Sequence, residues 1–157
     1  MTEPAFQDLI PHNHCYGCGP LNQQGLQIKS HWDGEDEAVC HYQPLTHHAA
    51  GPTHVLNGGI IATLIDCHGI CTAVADGYRQ EDREIGSPPD LWFATASLEV
   101  RYLRPAPLAA EVEIRARIVA REERKTHLDC TLTSAGKVRA EGTVVAVRVP
   151  ASWRDAG

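Results

Sequence analysis

Residues 57–76 read NGGIIATLIDCHGICTAVAD. The segment opens with an asparagine that can cap a helix, continues with two glycines, and then stays apolar for about five helical turns. The carboxylate in its middle, Asp66, is unusual because burying an unpaired carboxylate on an apolar helix is costly. We therefore predict a long buried helix over Asn57–Asp76 and select Asp66 as the leading functional candidate.

The composition is that of a globular protein. Hydrophobic residues make up 43% of the 157 residues and charged residues 22%, which excludes a mainly disordered chain and fits a single domain over residues 1–157. No uncharged apolar run reaches the roughly 18 residues of a membrane span, and the first residues do not resemble a signal peptide. We expect a cytoplasmic protein that binds no membrane and keeps its six cysteines as free thiols.

The charge is unevenly distributed along the chain. The net charge of −6 argues against a general nucleic-acid-binding protein. Residues 1–100 carry 3 basic and 13 acidic groups, whereas residues 101–148 carry 10 basic and 6 acidic groups. The second half could therefore bind an anion locally, or its arginines could alternate with glutamates on a solvated sheet face. The basic residues concerned are Arg101, Arg104, Arg115, Arg117, Arg121, Arg124 and Lys125.

Outside the helix the chain has a β pattern. The first 25 residues are rich in glycine and proline and are predicted to form a loop. The predicted strands are 26–32, 37–43, 94–102, 111–120, 128–133 and 142–149. Two strands, one helix and four further strands predict an α+β fold in which one antiparallel sheet curls around one central helix.

The third predicted strand has a regular alternation. Its apolar residues are expected to face the helix, and Thr95 lies on the alternate set; the apolar residues are Ala94, Ala96, Leu98, Val100 and Tyr102. Because one helix cannot cover a whole sheet, the sheet must curl strongly or pair with a second copy. We expect at least a homodimer.

Cysteines and histidines cluster near the N-terminus. His12, His14, Cys15 and Cys18 have donor atoms at zinc-ligand spacing, but a structural zinc site usually needs a second pair, and only one Cys-x-x-Cys is present. We expect no metal and interpret the segment as a glycine-shaped turn. Two further cysteines, 67 and 71, lie one turn apart on the helix and are interpreted as small core residues.

Three segments resemble a known family. The motif is His-Gly-Gly before an apolar helix, with an aspartate nine residues after the histidine, and Asn57-Gly58-Gly59 with Asp66 has this spacing. The segments CYGCGPLNQQGL at 15–26 and LEVRYLRPAPL at 98–108 agree as well. Together they resemble the hot-dog-fold thioesterases of the phenylacetate-degradation (PaaI-like) group, over most of residues 12–149.

The resemblance implies an activity and an assembly. It implies hydrolysis of acyl-CoA thioesters, without a cofactor, in a site shared across a homodimer that could pair into a tetramer. The Gly59 amide would polarise the thioester carbonyl, and Asp66 of the facing subunit would act as general base or nucleophile. Thr95 would help to hold the water. Asn57 departs from the family, which usually has histidine there.

Physical chemistry supports these residue types. An amide at the positive end of a helix stabilises the charge that develops on a carbonyl oxygen, and glycine lets the substrate approach the backbone. Apolar surroundings raise the pKa of a carboxylate such as Asp66 and make it more basic. Each residue also has a purely structural interpretation. Asn57 could be a helix cap followed by glycines that ease close packing, and Thr95 an ordinary strand residue. Asp66 could be paired with His68, an arginine or a partner's backbone.

Substrate contacts are expected around the start of the helix. Gly58 belongs to the helix N-terminus, and the preceding loop carries His48 and His54, which are candidates for substrate contact; solvated loop histidines are the alternative. Arg104 is the candidate for the CoA phosphates.

Two other functions remain open at this point. The missing family histidine at Asn57 allows a non-catalytic acyl-CoA-binding or regulatory hot-dog domain. A hydratase on the same fold would need a His/Asp pair near the thioester, and Asp66 with His68 is the only pair that the sequence offers.

Overall fold

A computed structural model describes residues 2–156 of the chain. In these residues the helices are α1 (Phe6–Leu9), α2 (Gly58–Gln80) and α3 (Ala151–Arg154), and a short 3-10 turn covers Thr46–His48. The strands are β1 (Ser30–Trp32), β2 (Glu37–Tyr42), β3 (Trp92–Tyr102), β4 (Val112–Arg121), β5 (Lys125–Ser134) and β6 (Lys137–Val149). All pairings are antiparallel, and the sheet order is β1-β2-β4-β5-β6-β3.

Helix α2 is the central element, and it is longer than predicted. The predicted helix ended at Asp76 because Gly77 was interpreted as the start of a connector. Gly77 is instead helical, and a Cβ there would lie 3.0 Å from Cε1 of Phe93, so the glycine allows close packing of the helix on β3. By length and composition α2 could cross a membrane, but most of it is buried inside the protein, as in the core helix of a globular fold.

Strands β4 and β5 confirm the predicted alternation. Their helix-facing residues are buried, namely Val112, Ile114, Ala116 and Ile118 in β4 and Leu128, Cys130 and Leu132 in β5. Ala120 was predicted to continue the buried set and is exposed, because the pairing with β5 shifts register between Ile118 and Ala120. These strands form the middle of the sheet, where α2 covers one face.

Strand β3 departs from the prediction. It forms one edge of the sheet, and residues 95–99 are all exposed. The pairing with β6 shifts register between Thr95 and Ser97, which marks a β-bulge at Ala96. Directly opposed residues share a face of a sheet, and Thr95 pairs with the buried Ala146. Thr95 therefore faces the helix, and the predicted inward placement of Ala96 is wrong.

The N-terminal segment also differs from the predicted strand over residues 26–32. Only Ser30–Trp32 pair with the sheet. The backbone N–H groups of Leu26 and Ile28 donate instead to the carbonyls of Tyr16 and Gly17, at 2.8 and 3.2 Å. The N-terminal loop therefore folds back on this segment and is held against the central helix.

Candidate active site

Asp66 borders an apolar cavity of about 260 Å³. The cavity is formed where α2, the start of β3, the N-terminal loop and α3 meet, and its apolar wall includes Ile70, Val74, Trp92 and Phe93. Thiols of the N-terminal loop and of α2 complete the lining, although both sets were predicted to be structural. A carboxylate at the edge of an apolar cavity is an arrangement suited to an apolar substrate group.

The Asp66 carboxylate has one hydrogen-bond partner among the described residues. Thr95 Oγ1 donates to Asp66 Oδ1 at 2.7 Å. Burial raises the pKa of Asp66, the Thr95 hydroxyl opposes the increase, and negative charge on Cys18 adds to it. No ion pair to Asp66 occurs within residues 2–156, so the structural interpretation through an arginine does not apply. The carboxyl group is thus predisposed to act as a base.

The contact between Asp66 and Thr95 depends on the bulge in β3. With uninterrupted alternation, Thr95 would point away from the helix on the side opposite to Leu98. The extra residue at Ala96 places both Thr95 and Leu98 on the helix-facing side. The sequence contained no signal for this bulge.

Asn57 is the N-cap of α2. Its Oδ1 accepts hydrogen bonds from the N–H groups of Gly59 at 2.7 Å and Ile60 at 3.1 Å. The Gly59 amide, predicted to polarise a substrate carbonyl, therefore already has an acceptor. The N–H of Gly58, in the first helical position, has none among the described residues.

Tyr102 lies over the helix N-terminus and was not selected from the sequence. Its hydroxyl donates to the Gly58 carbonyl at 2.6 Å, and a Cβ at Gly58 would lie 3.4 Å from the Tyr102 ring. Tyr102 is 54% exposed, so its ring forms part of the surface beside the helix end. An aromatic residue at the end of an edge strand carries no sequence signal for this position.

The two loop histidines lie in different surroundings. His48 is buried, its Nδ1 accepts from the Leu45 N–H at 3.0 Å, and its carbonyl accepts from the Asn57 N–H at 2.9 Å. His48 therefore holds the loop and positions Asn57, and its side chain is not available for the predicted substrate contact. His54 is exposed, and its carbonyl accepts from the Leu108 N–H at 2.9 Å.

Most of the arginines considered for phosphate binding are in ion pairs. Arg115 contacts Asp33 and Glu37, both at 2.7 Å, and Arg101 contacts Glu141 at 2.6 Å. These pairs agree with the alternative of a solvated, salt-bridged sheet face. Arg104 is exposed and donates from Nη1 to the Val138 carbonyl at 3.1 Å.

His68 does not form a dyad with Asp66. It is fully buried, its Nδ1 lies 2.7 Å from Ser30 Oγ and its Nε2 lies 3.0 Å from the Ala38 carbonyl. Burial lowers the pKa of His68 to about 4. Positions two residues apart on a helix do not face each other, and the pair predicted for a hydratase is therefore absent.

Comparison with known proteins gives the family. A profile of the Thioesterase superfamily matches residues 53–141. A crystal structure of a thioesterase superfamily protein from Shewanella loihica PV-4 is 32% identical, covers 88% of this chain and 96% of that chain, and superposes with a TM-score of 0.66.

Two more distant structures share the fold. The TT0310 protein from Thermus thermophilus is 22% identical, with coverage of 79% and 93% and a TM-score of 0.63. The E. coli PaaI protein from the phenylacetic acid degradation operon is 16% identical, with coverage of 80% and 81% and a TM-score of 0.65. The hot-dog fold predicted from the sequence is confirmed, and the chain belongs to the thioesterase superfamily.

Proposed function

We propose that the protein hydrolyses acyl-CoA thioesters, with Asp66 as general base or nucleophile. Superfamily membership supports a thioester hydrolase. The observation that carries the proposal is the Asp66 carboxylate, held by Thr95 at the edge of an apolar cavity and without a cationic partner among the described residues. In this mechanism the acyl group occupies the cavity, and the carboxylate attacks the carbonyl carbon or removes a proton from the attacking water.

The mechanism also requires a hydrogen-bond donor that stabilises the negative charge developing on the carbonyl oxygen. The N-terminus of α2 supplies backbone N–H groups and the positive end of the helix dipole. In the proposal the oxyanion accepts from Gly59 N–H in place of Asn57 Oδ1, with the Gly58 N–H as a second available donor. The exposed His54 and Arg104 are proposed to border the CoA moiety.

Helix geometry supports a site shared between two copies. Gly59 and Asp66 are seven residues apart, which separates them by about 10 Å along the axis of one helix. A reacting carbonyl must lie within about 3 Å of both the base and the oxyanion donor. The two groups of one chain are therefore too far apart to act on the same carbonyl.

A two-fold axis removes this difficulty. Seven residues are about 20° short of two full turns, so Gly59 and Asp66 lie on the same face of α2. An antiparallel copy of the helix, centred between Ala62 and Thr63, would bring Gly59 of one subunit opposite Asp66 of the other. This face is not fully buried in the single chain, and the adjacent edge strand β3 has no partner strand on its outer side within residues 2–156. We propose a homodimer, which could pair further into a tetramer.

A thiol-release assay tests the proposed activity. Short-chain, long-chain and aryl acyl-CoAs are offered to wild type, Asp66→Asn and Asp129→Asn, the last being a matched change on the solvated sheet face. We expect release of CoA from at least one class by wild type and Asp129→Asn, and a loss of about 10²–10⁴-fold in Asp66→Asn. No release from any substrate, or full activity in Asp66→Asn, contradicts the proposal.

Mixed dimers test the sharing of the site. A Cβ at Gly59 would meet only Asn57 Oδ1, at 3.0 Å, among the described residues, so we expect Gly59→Leu to fold and to block the approach of the carbonyl to the Gly59 N–H. Dimers of Gly59→Leu with Asp66→Asn would contain one intact site, which should restore roughly one quarter of wild-type turnover after random mixing. The matched control mixes wild type with the double variant, whose mixed dimers lack an intact site. If each chain has its own site, the result is different: the mixture of Gly59→Leu with Asp66→Asn is inactive, and the control mixture keeps about one half of wild-type turnover instead of the one quarter due to its wild-type homodimers.

The Asn57 cap favours one alternative, a domain that binds acyl-CoA without hydrolysing it. In this alternative the Gly59 N–H stays bonded to Asn57 and the carbonyl is never polarised. Binding of acyl-CoA by calorimetry, together with no thiol release under any condition above, would support it.

A further inference from the structure

Thiols from two distant parts of the sequence meet beside the cavity. The Sγ atoms of Cys15, Cys18 and Cys67 all lie within 4.8 Å of one another, and the distance from Cys15 Sγ to Cys67 Sγ is 3.6 Å. Four sulfurs around a tetrahedral zinc ion at 2.3 Å are separated by about 3.8 Å. The three sulfurs therefore already have nearly the spacing of a ligand set.

The backbone of the N-terminal loop is shaped to bring the thiols together. A Cβ at Gly17 would lie 2.3 Å from Cys67 Sγ, and a Cβ at Gly19 would lie 2.4 Å from the Cys15 backbone nitrogen. The Gly19 N–H donates to the Cys15 carbonyl at 2.8 Å and closes the turn. Only glycine fits at these two positions, so the loop can press its Cys-x-x-Cys pair against α2.

A third thiol joins the Cys-x-x-Cys pair from the central helix. This thiol is Cys67; Cys71, one turn further along α2, lines the same cavity but lies outside the group of three. Asn13 Nδ2 donates to Cys18 Sγ at 3.6 Å.

The charges around the cavity favour a cation. Its lining contains the acidic Asp66 and four cysteines, and no lysine, arginine or histidine among the described residues. A thiolate here has no counter-ion from the protein. His12 and His14, which are near in sequence, do not belong to the cluster in the described chain.

We propose that Cys15, Cys18 and Cys67 form a binding site for a thiophilic divalent cation of the Zn²⁺ type. Three thiolates at tetrahedral spacing select soft or borderline metals over Mg²⁺ or Ca²⁺. The site joins the N-terminal loop to the central helix. The sequence-based expectation of no metal rested on a missing second pair, and the fold adds one further thiol, Cys67, to the Cys-x-x-Cys.

Metal titration tests the proposal directly. Reduced, metal-free protein is titrated with Zn²⁺ against a chromogenic chelator, and separately with Co²⁺ while the sulfur-to-cobalt charge-transfer absorption is followed. Wild type should bind one ion per chain and show this absorption. The Zn²⁺ affinity of Cys15→Ala, a change at an exposed position, and of Cys67→Ala should fall by more than about 100-fold. This loss exceeds the one typical of residues that only orient a metal ligand.

Cys40→Ala is the matched control, because Cys40 is also buried but lies on β2, outside the cluster. It should bind zinc as wild type does, and circular dichroism establishes that each variant is folded. The proposal is overturned if reduced wild type takes up no zinc, or if Cys15→Ala binds with unchanged affinity. A reduced protein that ignores zinc but forms a Cys15–Cys67 disulfide in air would point to a redox pair instead.

Discussion

Asp66 and Asp76 lie on the same helix and have opposite surroundings. Asp76 is 2% exposed and accepts hydrogen bonds from Arg121 at 2.9 and 3.0 Å, from Arg79 at 3.1 Å and from Gln80 at 3.2 Å. Burial alone would raise the pKa of Asp76, but these donors outweigh it and lower the pKa. Asp66 is less buried, accepts a hydrogen bond only from the Thr95 hydroxyl among the described residues, and has a raised pKa.

The difference separates a structural carboxylate from a reactive one. Each hydrogen bond to the ionised form of Asp76 stabilises the charge and makes the group a weaker base. Asp66 keeps its basicity because few groups stabilise its charge. A carboxylate that is poorly stabilised in the folded protein and borders a cavity is a candidate for chemistry, whereas a well-paired one contributes to stability.

The largest expected effect is a loss of activity without a loss of stability in Asp66→Asn. Turnover should fall by about 10²–10⁴-fold. A raised folded-state pKa means that the wild-type carboxyl favours folding below the ordinary value of 3.8 and loses that contribution as the pH rises. At neutral pH the asparagine variant should therefore be more stable than wild type by urea unfolding. A variant that is both inactive and less stable would weaken the distinction from Asp76.

The reverse pattern is expected for Asp76→Asn. Loss of the charge-assisted bonds to Arg121 and Arg79 should lower the free energy of unfolding by about 2–3 kcal/mol, while the folded protein keeps its activity. The depressed pKa means that this contribution is complete above pH 3.8 and is lost as the pH falls through the folded-state pKa. Urea unfolding of variant and wild type should thus converge in acid. Inactivity at unchanged stability would contradict the structural assignment.

A smaller effect on activity is expected for Thr95→Val. This variant removes the hydrogen bond that Asp66 accepts from Thr95 and so increases its difference from the well-paired Asp76. Removing the hydroxyl that donates to Asp66 should raise the pKa of that carboxyl further. The acid limb of the pH–rate profile, measured with a metal chelator present, should move to higher pH, with a smaller change on the plateau. Thr143→Val, an exposed change on the neighbouring β6, should leave the profile where it is. An unmoved acid limb in Thr95→Val would show that the hydroxyl does not tune Asp66.

The smallest effect is expected at the other half of the site, in Asn57→Ala. Loss of the cap should lower the free energy of unfolding by about 1 kcal/mol. Because the variant releases the Gly59 N–H, turnover should stay the same or increase. A large fall in turnover would mean that the Asn57 amide itself contacts the substrate. Asn57→His, which introduces the usual family residue, provides the comparison.

Much of the fold was predictable from local patterns. The alternation in β4 and β5 and the apolar run of α2 were sufficient to predict the sheet, the helix and the packing of one on the other. A buried face requires apolar residues at the period of its own element, so this information is present in the local sequence. The end of α2 was misplaced because Gly77 packs against Phe93, a contact that depends on the position of β3. The exposure of residues 95–99 in β3 could not be predicted from their alternation, because it depends on the position of β3 at the edge of the sheet.

The sequence by itself determined the fold class, the central helix and the choice of Asp66, since each of these follows from the residue types in one continuous segment. Only the tertiary structure decided that Thr95 reaches Asp66 through a bulge, that Asn57 occupies the Gly59 N–H, and that Cys15 meets Cys67 across 52 positions of the chain. These contacts depend on strand register, side-chain direction and loop closure. None of the three has a period or spacing along the chain, and each is set by how distant segments pack together.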